Sequence, residues 1–348
     1  MTRLRSLLGA LALALVATAL TLGGAELAVR VVASLPRPAP PSPDPELEGL
    51  PQLKGVFELS RPNVVGIHQG TLWRTNSAGF RGPERSLVPP PGVFRIAVVG
   101  DSFSAGQGVR EDDAYAAQLE RLLNRSGSQR FEVLNVGLGG LNAEYVLDRA
   151  DRVAAKFRPH LYVYGFTLND IEEIGWMRRS DGERYRAIGK EMLRFAGSRS
   201  YLLRALWPRW VSLRDLWFPR EGVSYAEELA SAYRDPAKFA RIEHALDGFV
   251  ALGERSGACV HVLIHTELTQ LRFWHPFRDA YDRVERAAKA RGLTATQSFP
   301  AHRWHSTQDL RVSPLDGHPN REGHRILAEA LYAGLRELPP HCGFPSIP

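Results

Sequence analysis

The chain has 348 residues, 44% of them hydrophobic and 24% charged, with a formal net charge of +6. This composition excludes a disordered protein and supplies enough apolar material for one large or two ordinary cores. The positive balance suits anionic surfaces and names no partner.

At the N-terminus, Arg3 and Arg5 precede the uncharged run Ser6 to Ala25, long enough to span a bilayer. A signal anchor over residues 1–32 is expected, because the apolar run continues past Ala17-Thr18-Ala19, the small-residue site at which a signal peptide would be cut. Either form puts the rest of the chain outside the cytoplasm, secreted if the segment is removed. Six prolines between Pro36 and Pro45 then mark residues 33–53 as an extended spacer. Residues 54–92 read as a small β extension of short strands and turns, with the Gly-rich "NSAGFRG" over Asn76 to Gly82.

From Phe94 the pattern alternates. Strands are predicted at Phe94–Val99, Phe131–Gly137, His160–Phe166, Cys259–His265 and Leu293–Phe299. Helices are predicted over Asp113–Asn124, Asn142–Phe157, Ala237–Arg255, Arg278–Arg291 and Asn320–Leu338. Such alternation predicts an α/β fold with a parallel sheet covered by helices on both faces, here over residues 93–340. Ligands of these sheets sit beyond the C-terminal strand ends, where the strand order switches. Residues 171–235 interrupt the alternation as a helical insertion. Between Trp176 and Arg220 it carries eleven Arg or Lys against four Asp or Glu, together with Trp207, Trp210 and Trp217. A lid, a surface for anionic lipid or polysaccharide, and a packing cap are all open readings of it.

The first strand exits into Gly100-Asp101-Ser102. The dinucleotide fingerprint, the phosphate loop and the G-x-S-x-G elbow all fail here. A serine at a strand-to-helix turn remains a good nucleophile position, because the helix N-terminus favours developing negative charge. A base and its orienter are available in His318 and Asp316, just ahead of the last helix, which Asn320 is placed to cap. Gly137, Gly139 and Gly140 after the second strand free backbone N–H groups, and the Asn169 amide after the third can face a reacting oxygen.

Together these residues resemble the SGNH/GDSL hydrolase superfamily. Its blocks are matched by Gly100-Asp101-Ser102, Asn135 to Gly140, Asn169-Asp170 and Asp316 to His318, and the similarity runs from Phe94 to Leu338. "NSAGFRG" resembles the membrane-anchored bacterial members. The resemblance implies a three-layer α/β/α, flavodoxin-like sandwich and cofactor-free ester hydrolysis. Ser102 is then the nucleophile, His318 the base and Asp316 its orienter. Ser102 N–H, Gly140 N–H and Asn169 form the oxyanion hole. Two positions depart from the family pattern: Thr167 stands where a glycine is usual, and Leu315 where the acid is usual.

Asp101, Asp170 and His265 are expected to line the substrate pocket. His261 and His265 share a strand face but have no third ligand nearby, so no metal is expected. The substrate expected is an ester-bearing small molecule, glycan or lipid, with a short acyl group such as O-acetyl. An O-acyltransferase on envelope polysaccharide and a non-catalytic glycan-binding protein are the rival readings. Membrane attachment through the N-terminal helix is expected and nucleic-acid binding is not. Cys259 and Cys342 can pair in an oxidising compartment or remain one buried and one exposed thiol. The oligomeric state stays open.

Overall fold

The computed structural model describes residues 2–34, 44–125, 129–172, 200–203, 206, 225–272, 275–313 and 316–347. The chain divides into two units: Met1–Ser42 with Gly175–Ser224, and Pro43–Ile174 with Tyr225–Pro348.

The first unit is built on α1 (Thr2–Ser34). Its segment Ala12–Val32 has a mean hydropathy of 1.8 and is the one helix among the described residues long and apolar enough to cross a membrane. Near its C-terminal end, Glu26 accepts hydrogen bonds from Arg30, from the Ser200 hydroxyl and from the backbone N–H groups of Tyr201 and Leu202. Trp176, Trp207, Trp210, Trp217 and nearly all of the basic insertion lie outside the described residues.

The second unit begins with α2 (Gly55–Leu59), β1 (Val65–His68) and β2 (Thr71–Arg74). Short strands and turns were expected throughout this stretch. The helix differs because Glu58 reaches back to the Lys54 N–H, which closes a single turn too short to leave a period in the sequence. There follow β3 (Val93–Gly100), α3 (Ser102–Ala105), α4 (Tyr115–Leu123), β4 (Arg130–Asn135), α5 (Ala143–Arg152) and β5 (Leu161–Phe166). Next come α6 (Tyr225–Ala232), α7 (Pro236–Ser256), β6 (Cys259–Ile264), α8 (Arg278–Lys289), β7 (Thr294–Gln297), α9 (Phe299–His302) and α10 (Thr307–Leu310). The unit closes with β8 (Arg311–Ser313), β9 (Asp316–Pro319) and α11 (Arg321–Leu335).

The strand order β4-β3-β5-β6-β7 is parallel throughout, the flavodoxin-like arrangement. Successive side chains on a strand point to opposite faces. Ile96, Val98, Leu161 and Val163 therefore pack on α4 and α11 through Tyr115, Leu119, Leu327 and Leu331. Ala97, Val99, Tyr162 and Tyr164 pack on the opposite layer with Val146, Ile242, Phe249 and Val284. Each large apolar side chain buried this way contributes about 1.5–3 kcal/mol. Cys259, at the start of β6, is bonded to Cys342, with Cα atoms 5.5 Å apart.

This order reverses direction between β3 and β5. The crevice beyond their C-terminal ends is where such sheets hold ligands, and β3 ends in that crevice at Gly100.

Candidate active site

β3 stops at Gly100, and Asp101 caps α3 by accepting the Phe103 N–H at 2.9 Å. Ser102 is thus the first residue of a four-residue helix, seated directly on the strand ends. That seat requires glycine on both central strands. A Cβ on Gly100 would stand 2.2 Å from Ser104 Oγ and 2.5 Å from the Gly165 carbonyl; a Cβ on Gly165 would also stand 2.2 Å from Ser104 Oγ. Ser104 therefore fills the slot between two glycines, fully buried and hydrogen-bonded to the Tyr115 hydroxyl. Ser102 Oγ points elsewhere.

It points at the hairpin of β8 and β9. In the extended β9, Asp316 and His318 lie two apart and share a face. Asp316 Oδ1 accepts His318 Nδ1–H at 2.5 Å and the His318 backbone N–H at 3.0 Å. With Nδ1 donating, Nε2 is an acceptor, and it lies 2.8 Å from Ser102 Oγ. The hairpin is braced by Asn320, which caps α11 through the Glu322 and Gly323 N–H groups while its amide donates to the Asp309 and Arg311 carbonyls. Leu315, the position where the family pattern puts the acid, lies outside the described residues.

Burial by itself would lower the His318 imidazole. The Asp316 carboxylate, aided by the charges of Asp101 and Glu267, outweighs it and leaves His318 above its ordinary range. Burial would raise Asp316, but its two hydrogen bonds from His318 hold it below the usual carboxylate value.

Asn169 follows β5 in a single helical turn, and its Nδ2 donates to Asp101 Oδ2 at 3.2 Å. Ser102 Oγ meets that same oxygen at 3.3 Å, so the amide and the hydroxyl are neighbours. The glycine strip after β4 runs alongside: a Cβ on Gly139 would stand 3.4 Å from Ser102 Cβ. Gly140, with φ +79°, takes the left-handed conformation that favours glycine, and Val56 of α2 lies against it.

Three residues expected to line a substrate pocket are instead interior. Asp101 is 1% exposed and engaged in capping and in holding Asn169. Asp170 accepts from the Tyr164 hydroxyl at 2.7 Å and from the Thr167 N–H at 3.2 Å. Burial, and then the nearby Asp101, hold it well above the carboxylate range. Thr167 takes the usual glycine position without disruption because its hydroxyl joins this cap. His265 lies beneath the serine turn, stacked on Phe103 and edge-on to Tyr115. Burial lowers it to about 3. His261 is tied to Thr294, and the two histidines do not converge.

Sequence reasoning missed Glu267, three residues beyond β6, whose carboxyl burial raises to about 7 and whose charge acts on His318. Its position just past a strand end was the available signal. It also missed Arg81, read only as part of a turn.

A parallel α/β/α sandwich with a serine, a histidine and an aspartate joined in sequence at its switch point defines the class of serine ester hydrolase domains. The model of the GDSL-like lipase/acylhydrolase family matches residues 98–326, about two thirds of the chain, and the chain belongs to that family. No curated protein sequence matches the chain. Among solved structures, a two-domain esterase active on acetylated mannans, crystallised with mannopentaose, is similar at 14% identity and a TM-score of 0.44. That similarity covers 74% of this chain and 52% of the other, so the chain spans about half the length of that relative. The acetyl xylan esterase AlAXEase is similar at 14% identity and a TM-score of 0.41, over 69% of this chain and 98% of that one. A catalytic mutant of an acetylxylan esterase from Geobacillus stearothermophilus is similar at 16% and 0.41, over 69% and 93%.

Proposed function

We propose that the protein is an extracytoplasmic serine esterase, held at a membrane by α1, that hydrolyses short acyl esters such as O-acetyl groups on envelope glycans or lipids. The observation that carries this reading is the continuous chain of hydrogen bonds from Asp316 through His318 to Ser102 Oγ. Ser102 Oγ attacks the ester carbonyl carbon while His318 Nε2 takes its proton. The tetrahedral oxyanion is held by the N–H groups of Ser102 and Gly140 and by the Asn169 amide. Collapse breaks the bond to the alcohol, which leaves with the proton from His318. Water, deprotonated by His318, then attacks the acyl-enzyme, releases the carboxylic acid and restores Ser102.

The Cys259–Cys342 bond supports an oxidising compartment and agrees with the apolar segment Ala12–Val32. The insertion expected over 171–235 belongs to this proposal, while the spacer expected over 33–53 is shortened in it to the part before Pro43, because Pro45–Leu47 forms a helical turn and the Leu53 N–H donates to the Ile67 carbonyl within the second unit.

The direct test is labelling of the full-length protein in detergent with a fluorophosphonate probe, followed by peptide mapping. Label on Ser102, lost in Ser102→Ala, is the expected result. A folded wild type that takes no label sinks the reading. Acetate release from an O-acetylated glycan, measured with and without an added glycan acceptor, then separates hydrolysis from transfer.

A further inference from the structure

Arg81 belongs to the N-terminal extension, yet its side chain ends against the turn that follows α3. It is 1% exposed, and its guanidinium carbon lies 4.6 Å from the centroid of the Trp73 ring. Nη1 donates to the carbonyls of Ala105 at 2.9 Å and Gly106 at 2.7 Å. Nη2 donates to Val109 at 3.0 Å and Leu72 at 3.5 Å. Ala105 ends α3, the helix that Ser102 begins, and Gly106 caps it. At the backbone level, Arg81 bridges Asn135, the last residue of β4 and the first of the glycine strip.

A helix of four residues cannot sustain itself, since its nucleation cost is not recovered within one turn. Asp101 holds its N-terminal end, and the guanidinium holds its C-terminal end. Four carbonyls, one from β2 and three from the stretch Ala105–Val109, converge on that one planar fork, a task no other side chain can perform, because only arginine offers so many donors in fixed geometry. No carboxylate forms an ion pair with Arg81 among the described residues. Burial lowers its guanidinium to about 10, partly offset by Glu111 and Asp112. A buried cation of this kind costs several kcal/mol unless well hydrogen-bonded, which makes it an expensive way merely to fill space.

We propose that Arg81 is a positioning residue for the nucleophile: by clamping the end of α3 it sets Ser102 Oγ at its 2.8 Å distance from His318 Nε2, and so makes the N-terminal extension part of the working site. The proposal rests on the assignment of Ser102 as nucleophile. Arg81 touches no substrate, so its loss should lower kcat and the rate of acylation while leaving KM nearly unchanged.

The test compares full-length wild type, Arg81→Lys and Arg81→Gln for esterase kinetics, for the rate of fluorophosphonate labelling at Ser102 and for the thermal unfolding midpoint. Arg81→Lys keeps the charge but cannot reach all four carbonyls. The expected result is a folded Arg81→Lys with kcat and labelling rate reduced about 10- to 100-fold and KM within about twofold, and a larger loss in Arg81→Gln. A folded Arg81→Lys whose labelling rate is within threefold of wild type overturns the proposal and leaves the esterase reading intact. A wild type that is not labelled at Ser102 overturns both. If neither variant folds, Arg81 serves stability alone and the proposal fails.

Discussion

The serine turn and the histidine hairpin face each other across 2.8 Å, but they are held by different means. Ser102 is 8% exposed and rides on the end of β3, an interior strand of the sheet, with glycines beneath it and Arg81 behind it. Asp316 and His318, each with 22% of the side chain exposed, stand on a two-stranded hairpin outside that sheet, braced by one helix cap. The carboxylates follow the same division. Asp101, beside the serine, is pushed up by burial and works as a cap; Asp316, beside the histidine, is held down by its hydrogen bonds and stays ionised. Two residues can thus look alike in sequence, each an aspartate within two positions of a proposed catalytic group, and differ in chemistry because burial wins at Asp101 while the hydrogen bonds and charge of His318 outweigh burial at Asp316.

The comparison can be broken most severely at its two poles. Ser102→Ala and His318→Ala should each lower kcat by about 10⁶, the loss found when either member of such a triad is removed. Ser104→Ala, whose hydroxyl is spent on Tyr115, should leave labelling of Ser102 intact. Steady-state kinetics with an acetyl ester would show it, and loss of labelling in Ser104→Ala would exchange the two assignments.

Asp316→Asn should cost about 10⁴ in kcat, because the orienting carboxylate goes while nucleophile and base remain. The pH profile sharpens this. Activity requires neutral His318, so kcat/KM should rise with pH through an imidazole titration lying above the ordinary one. Removing the Asp316 charge should move that limb to lower pH. An unmoved limb would mean that Glu267 or Asp101 sets the His318 titration.

On the serine side, Asn169→Ala should lower kcat by about 10²–10³ with little change in KM, as for loss of one preorganised donor. A change confined to KM would assign Asn169 to ground-state binding instead.

The smallest effect, taken per residue, is on stability. In the unfolded chain, imidazoles take up protons near pH 6.5. Folded, burial lowers His261 and His302 to about 4 and His265 to about 3. Between those values the unfolded chain binds more protons, so stability is full above pH 6.5 and falls as pH drops toward 4, by on the order of 1–2 kcal/mol for each histidine at pH 5. Urea midpoints at pH 7 and pH 5 measure the difference. Equal midpoints would show that these imidazoles do not stay neutral on folding.

The central sheet was readable because β3, β5 and β6 are largely apolar runs alternating with helical periods, and the serine turn was readable because Gly100-Asp101-Ser102 breaks such a run. β8 and β9 were not. Three and four residues long, and ending in Asp-Gly-His-Pro, they carry no alternation; their pairing depends on the Asn320 cap and on register with Arg311. Asp170 and His265 were misplaced for a related reason. Position past a strand end tells which residues reach the crevice level, but not whether a side chain turns outward to solvent or inward beneath Phe103. Arg81 left no local sign, since all of its side-chain hydrogen-bond partners except Leu72 lie at least 24 residues away.

The Cys259–Cys342 bond draws a covalent boundary through the proposed site. It closes a loop spanning 83 positions that contains Glu267, Asp316 and His318, while Ser102, Gly140 and Asn169 stay outside. Cross-linking of that span restricts the denatured chain by an amount worth about 4–5 kcal/mol in the chain-entropy view. The restriction falls on the half that carries the weaker scaffold, where a hairpin and a cap have little else to rely on. A molecule matured in a reducing cytosol would keep every catalytic group it needs but would yield far more readily to heat and proteases, so production by export and production in the cytosol should give two preparations of one sequence with unequal lifetimes.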